Sequence, residues 1–347
     1  MRAITFQEPE VVLFETIDDP IIENHSDVIV KTTLCGVCGS DMHVFHGRET
    51  GIDKCTAMGH EFVGEVVEVG SNASKLSIGD RVMAPFTTSC GHCYFCRMGL
   101  TSRCVKSQLY GWRENGFGLH GGQAEYVLVP NAQHSLMAIP DDVSDISALM
   151  LGDNFSTGYF CADQAHCQGK SVAVLGCGSV GLFATMAAIS MGASKVFAID
   201  NIAARLAKAE EFGATPLNFE DNNLIEAVHV QTEGRGVDAV LDAVGNSSAS
   251  RLAYDIVSPG GIISTVGVCT DPTFAFSPAQ AYDKNLTYKV GRCPARHYME
   301  KLLPFVEAEK FNLESVVTHK LSLENGPDAY EMYTKKSDDC IKIVLEP

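Results

Sequence analysis

The chain is poor in cations and has a single tryptophan: Lys and Arg total 26 against 43 Asp and Glu, a formal net charge of −17 at pH 7. That deficit argues against duplex nucleic acid or an anionic membrane as partner, because clustered cations carry such binding. Internal repeats, low-complexity tracts, blocks of like charge and a Pro/Ser-rich linker are also missing. Collagen-like and disordered classes are thereby set aside. The opening Met1-Arg2-Ala3-Ile4-Thr5-Phe6 lacks the charged-then-apolar pattern of a secretory signal. With an odd number of cysteines, 13, a disulfide-stapled secreted scaffold is not expected, and a cytoplasmic protein is. Ser171 to Ser194 carries no charged side chain and is long enough, on hydropathy alone, for a membrane span. Glycines at 176, 178, 181 and 192 suit a strand, a tight turn and a buried helix better.

What is present is length and core: 347 residues, 46% of them hydrophobic, enough for two domains at roughly 150 residues each. Up to about residue 150 the chain reads as short strands with Gly and Asp turns: Val28–Thr33, Phe62–Val69, Asp80–Ala84 and Gln123–Val129. From about Phe155 to Arg292, strand-like runs (Ser171–Leu175, Lys195–Ile199, Val237–Asp242, Gly261–Val266) alternate with helical patterns such as Ile202–Phe212. That alternation predicts a parallel, doubly wound sheet. The tail reads as helices over His297–Glu309 and Pro327–Lys335, then a strand at Cys340–Leu345.

Three constellations carry chemistry. Cys90, Cys93, Cys96 and Cys104 form a C-x2-C-x2-C-x7-C array within fifteen residues. Four thiolates so close suit one tetrahedral Zn²⁺ with no open position, a structural site. Disulfides and an iron–sulfur cluster are the other readings of that spacing, and His92 inside the loop is a bystander. Upstream, Cys38, Ser40, Asp41 and His43 precede Gly59-His60-Glu61. A cysteine, a histidine and a carboxylate are the three protein ligands of a catalytic zinc, the fourth place being left for water or substrate. Spacing does not say which distant carboxylate joins them. The third is Gly176-Cys-Gly178-Ser-Val180-Gly181, after the strand Ser171–Leu175, opening a helical run Leu182–Met191 and followed nineteen residues later by Asp200. Strand, turn, helix and distal acid together make the dinucleotide fingerprint. Asp200 would repel a 2′-phosphate, which favours NAD over NADP, with Arg205 as the residue that argues the other way.

In this order the motifs CGVCGSDMH (35–43), GHEFVGEVVEVG (59–70), GDRV (79–82), the four-cysteine lobe, GGQAEYVLVP (121–130), FSTGY (155–159) and GCGSVG (176–181) resemble the zinc-dependent alcohol dehydrogenases of the medium-chain dehydrogenase/reductase superfamily, over essentially the whole chain. The resemblance implies an α/β protein: a GroES-like β-rich catalytic domain over 1–154 and 293–347, with the zinc lobe at 90–104, around a Rossmann coenzyme domain over 155–292. It implies two zinc ions per subunit and NAD(H). Cys38 and His60 match catalytic zinc ligands, and Asp153 stands where many members carry a cysteine, as in the branch that uses aspartate. Glu61 matches the acid that in some members reaches the metal, and Asp41 the acid that orients the ligand histidine. Ser40 and His43 match a proton relay running through the nicotinamide ribose. Phe86, Tyr110 to Trp112 and Asp153 would line the substrate pocket. Gly176, Gly178, Val180, Gly181, Asp200, Arg205, Val266 and Lys342 would meet the cofactor, Lys342 at its pyrophosphate, while Gly39 stands where some members place a phosphate-binding Arg.

The implied reaction is reversible hydride transfer between a small alcohol and NAD in a homotetramer or homodimer. A dismutase or formaldehyde dehydrogenase holding NAD tightly is the alternative. Zinc-free quinone reductases normally lack both cysteine sets, and a non-enzymatic scaffold need not keep Ser40 and His43.

Overall fold

In a computed structural model that describes residues 1–73 and 75–347, the chain forms two compact units, one of residues 1–156 with 294–347, the other of residues 157–293. The second unit is contiguous in sequence and interrupts the first.

The first unit is built on the long strand Val28–Val37, buried except at Lys31 and Thr33. Strands 28–37 and Phe62–Val69 pair antiparallel, with Val30 opposite Val66 and Cys35 opposite Phe62. The last strand, Ile343–Glu346, closes the other side, setting Ile343 against Val37 and Leu345 against Cys35. That register brings Lys342 level with the end of strand 28–37, where Cys38 follows. Val28, Val30, Phe62, Val66, Val127, Tyr330, Ile343 and Leu345 share one apolar core. The tail thus belongs to this unit through β pairing, and its strand begins at Ile343 rather than Cys340.

The second unit holds six parallel strands in the order Thr215–Asn218, Lys195–Asp200, Ser171–Leu175, Val237–Asp242, Val257–Thr265 and Thr287–Val290. This is the Rossmann order, in which ligands sit beyond the carboxyl ends of the strands. The strand Ser171–Leu175 is buried in all but its first residue, as a central parallel strand covered on both faces must be. Gly176 turns the chain at φ 82° into the helix Ser179–Ser190. The uncharged run from Ser171 to Ser194 is therefore strand, turn and buried helix. No helix among the described residues is long and apolar enough to cross a membrane.

The turn leaves no room for a side chain at Gly181, since a Cβ there would lie 1.7 Å from the Gly176 carbonyl oxygen. Gly181→Ala should therefore destabilise this unit by about 1–3 kcal/mol, the usual cost of overpacking. A denaturant midpoint equal to wild type would contradict the turn geometry.

Candidate metal and dinucleotide sites

Sulfur, nitrogen and carboxylate donors of Cys38, His60, Glu61 and Asp153 lie within 4.8 Å of one another, all buried. Each comes from the end of an element. Cys38 follows strand 28–37, His60 and Glu61 precede strand 62–69, and Asp153 caps the helix Asp145–Gly152. Gly59, at φ 84°, makes the bend before His60, and a Cβ there would strike Gln123 at 2.5 Å.

His60 is oriented from behind. Its Nδ1 lies 2.9 Å from Asp41 Oδ1, while Asp41 Oδ2 accepts from the Cys38 backbone N–H at 2.9 Å. With the Nδ1 proton assigned to the Asp41 bond, Nε2 is the nitrogen turned to the donor cluster, 3.2 Å from Asp153 Oδ2 and 3.2 Å from Ser40 Oγ. Such a carboxylate–histidine pair fixes tautomer and ring angle for metal binding. Cys38 Sγ stands 4.0 Å from Asp153 Oδ2. Burial works against a charged His60, yet Asp41 and Asp153 hold its pKa well above the ordinary value. Burial, and then Glu61, raise the Cys38 thiol. The pocket concentrates more negative charge than its own cations offset. A cysteine sulfur, an imidazole nitrogen and a carboxylate converging on one point are what a zinc ion takes as the first two give up their protons, and the residues fit it.

Glu61 is tied on both oxygens: Oε2 pairs with Lys342 Nζ, and Oε1 accepts from Asn154 Nδ2 at 2.5 Å. Lys342 also donates to the Val37 carbonyl at 3.1 Å and is fully buried. This corrects the expectation that it meets a cofactor pyrophosphate: an ammonium without exposed surface, already shared between Glu61 and Val37, has nothing to offer a phosphate. Tyr110 departs from expectation too. It is 1% exposed and packs edge-on against Phe62, ring centroids 5.0 Å apart, as a core residue. Phe86 does stand beside the metal ligands, its ring centroid 6.4 Å from that of His60. His43 is half-buried, its Nδ1 makes no hydrogen bond among the described residues, and burial lowers its pKa.

The four sulfurs of Cys90, Cys93, Cys96 and Cys104 also lie within 4.8 Å. Backbone N–H groups aim at them. Those of Cys90 and Lys106 reach Cys104 Sγ at 3.2 and 3.3 Å. The amides of Cys96 and Val105 bring Cys93 down to about 6, whereas burial and Cys93 push Cys96 up to about 12. Some of the set is thus ready to ionise and the rest resists without a cation, a donor set fitted to a closed zinc site. His92 turns away and bonds the Cys90 carbonyl at 2.7 Å.

In the second unit, Gly176, Gly178, Val180, Gly181, Asp200 and Val266 all lie at or just beyond carboxyl ends of the parallel strands. Gly178 caps the helix Ser179–Ser190 without a side-chain bond, and a Cβ on it would meet only the Arg205 guanidinium, at 3.8 Å. Open amides beside such space are suited to an anion. Asp200 accepts from the N–H groups of Cys177 at 2.7 Å, Asn201 at 2.8 Å and Ile202 at 3.0 Å. Those bonds fix the Asp200 carboxylate at the carboxyl end of its strand.

Comparison with known proteins agrees with this architecture. The family Alcohol dehydrogenase GroES-like domain matches residues 24–141, and Zinc-binding dehydrogenase matches residues 179–308. The chain therefore belongs to the zinc-dependent alcohol dehydrogenases of the medium-chain type. Among relatives, zinc-type alcohol dehydrogenase B of Aspergillus flavus is 39% identical over 345 residues, covering 96% of this chain and 78% of that one. The structure of alcohol dehydrogenase TADH from Thermus sp. ATN1 superposes with TM-score 0.93 at 37% identity, covering 100% of this chain and 99% of that one. A structure described as a short chain alcohol dehydrogenase from Escherichia coli CFT073 complexed with cofactor NADH superposes with TM-score 0.85 at 25% identity, covering 100% of this chain and 99% of that one.

Sequence reasoning missed Gly36, Gln123 and Asn154. A Cβ on Gly36 would fall 1.9 Å from Glu61 Oε2, and Gln123 joins the Gly36 carbonyl at 2.9 Å to the Tyr330 hydroxyl at 2.9 Å. Only tertiary pairing shows these contacts. Cys104→Ser should cost the protein one zinc per chain by metal analysis and lower its thermal midpoint by several degrees, since a structural zinc contributes folding free energy directly. Unchanged metal content would remove Cys104 from the site.

Proposed function

We propose that this chain is an NAD-dependent alcohol dehydrogenase, oxidising a primary or secondary alcohol to the aldehyde or ketone and running in reverse when the carbonyl compound is supplied. The observation that carries the reading is the convergence of Cys38, His60 and Asp153, with Asp41 fixing the imidazole behind them. A zinc ion held by those three residues would supply Lewis acidity toward the substrate oxygen, and the nicotinamide a hydride acceptor. Aspartate in the third place makes this donor set harder than one with two thiolates, which favours exchange of the metal.

The rest is done by the protein's own groups. Ser40 Oγ, 3.2 Å from His60 Nε2, lies beside the donor cluster and takes the substrate's hydroxyl proton. His43, whose Nδ1 has no hydrogen-bond partner among the described residues, receives it farther out, and its lowered pKa keeps the ring neutral and able to accept. Phe86 shields the ligand imidazole from water. In the coenzyme unit, the amides after Gly178 would take the pyrophosphate and Asp200 the adenosine ribose, which supports NAD over NADP, while the solved neighbours include both an NADH complex and one bound to NADP. Arg205 beside Gly178 is the feature that would admit a 2′-phosphate. We place the enzyme in the cytoplasm, as a homotetramer or homodimer. No observation at the site favours dismutation by a tightly held NAD.

Reduced-nicotinamide formation by the zinc-loaded protein, with NAD and separately with NADP across primary, secondary and polyol substrates, tests the reading. Turnover of one class with NAD supports it, and no turnover with any overturns it. His43→Ala should lower turnover at least about 100-fold, the scale of general acid–base catalysis, with partial rescue by added imidazole. Because the His43 pKa is lowered in the folded protein, wild-type oxidation should hold as pH falls to 6.5, the ordinary histidine value, and drop only below it. A drop centred above that value would take His43 out of the relay.

A further inference from the structure

Four donors, not three, converge in the catalytic unit: Glu61 joins Cys38, His60 and Asp153 within 4.8 Å. Four protein ligands make a closed zinc site and three leave one position open, so the reaction depends on where the Glu61 carboxylate is held. Its Oε2 faces the fully buried ammonium of Lys342. Among the described residues Oε1 is held by the Asn154 side-chain amide, at 2.5 Å. Asn154 is 0% exposed, and among the described residues its Oδ1 meets no donor, so bonds from Nδ2 fix how the amide points. The same Nδ2 lies 3.4 Å from Asp153 Oδ2 and 4.0 Å from Cys38 Sγ, contacts too long to match the bond to Glu61.

We propose that Asn154 is a positioning residue that holds Glu61 off the metal and keeps the fourth coordination position free for exogenous ligands. This rests on the proposed catalytic metal of Cys38, His60 and Asp153, and deepens it. A carboxylate held by donors on both oxygens has fewer lone pairs to offer a cation. Without the Asn154 amide, Oε1 becomes available at the site while Lys342 still secures Oε2, and Glu61 then competes with any incoming ligand.

The test uses the full chain with cobalt in place of zinc at this site, titrated with imidazole and read by the cobalt visible absorption, with metal content measured in parallel. Asn154→Leu keeps the volume but removes the donor. It should weaken imidazole binding about tenfold, the equilibrium equivalent of one hydrogen bond to a charged group. In a Glu61→Gln background the same substitution should change the affinity less than about twofold, because the weaker amide ligand no longer competes. Equal imidazole affinity in wild type and Asn154→Leu, or an equal loss in both backgrounds, overturns the proposal and leaves the metal reading standing. Failure of the wild-type chain to take up metal at this site overturns both. Asn154→Ala carries the same expectation and replaces the leucine variant should that not fold.

Discussion

Burial of acidic groups with too few cations is the constraint on which the catalytic unit turns. Cys38, Asp41, Glu61 and Asp153 lie together at low exposure, and Lys342 and His60 are the cationic groups set directly against them. Ions removed from water are costly unless paired and hydrogen-bonded, and here the buried carboxylates find partners both nearby and far along the chain. Asp41 is satisfied locally by Cys38 and His60, Glu61 by Lys342 and Asn154. Cys38 and Asp153 point at one spot beside His60 Nε2, where a divalent cation would take the place of the thiol and imidazolium protons. Strand pairing, the bend at Gly59 and the absence of a side chain at Gly36 all serve that arrangement.

The sequence was informative where chemistry is local. The four-cysteine array and the turn Gly176–Gly181 are short-range patterns whose spacing already encodes geometry. Strands Phe62–Val69, Ser171–Leu175 and Val237–Asp242 run as their hydrophobic pattern predicts. Cys38 and His60 were legible as a pair, and Asp153 only through likeness to a family, since nothing in spacing joins residue 153 to residue 60.

What escaped is what long-range pairing creates. Lys342 and Glu61 are 281 positions apart, and a lysine near the C-terminus reads, by family likeness, as a pyrophosphate contact until the strand Ile343–Glu346 is seen against Val28–Val37. Asn154 sits in a helical stretch and Gly36 in a strand, so neither announces its contact with Glu61. Tyr110 illustrates the opposite error: near the pocket in sequence order, it turns inward because Phe62 offers it an edge-on partner.

The discontinuous first unit has a consequence for synthesis. Residues 157–293 form one uninterrupted stretch, with every strand of its sheet available once that stretch has been made. Strand Val28–Val37, made early, gains its neighbour Ile343–Glu346, and Glu61 its ammonium from Lys342, only when the end of the chain has emerged. Because domains fold as units as they are made, the coenzyme unit can be complete while the donor cluster still waits for its counter-charge, and the order of assembly is written into the connectivity.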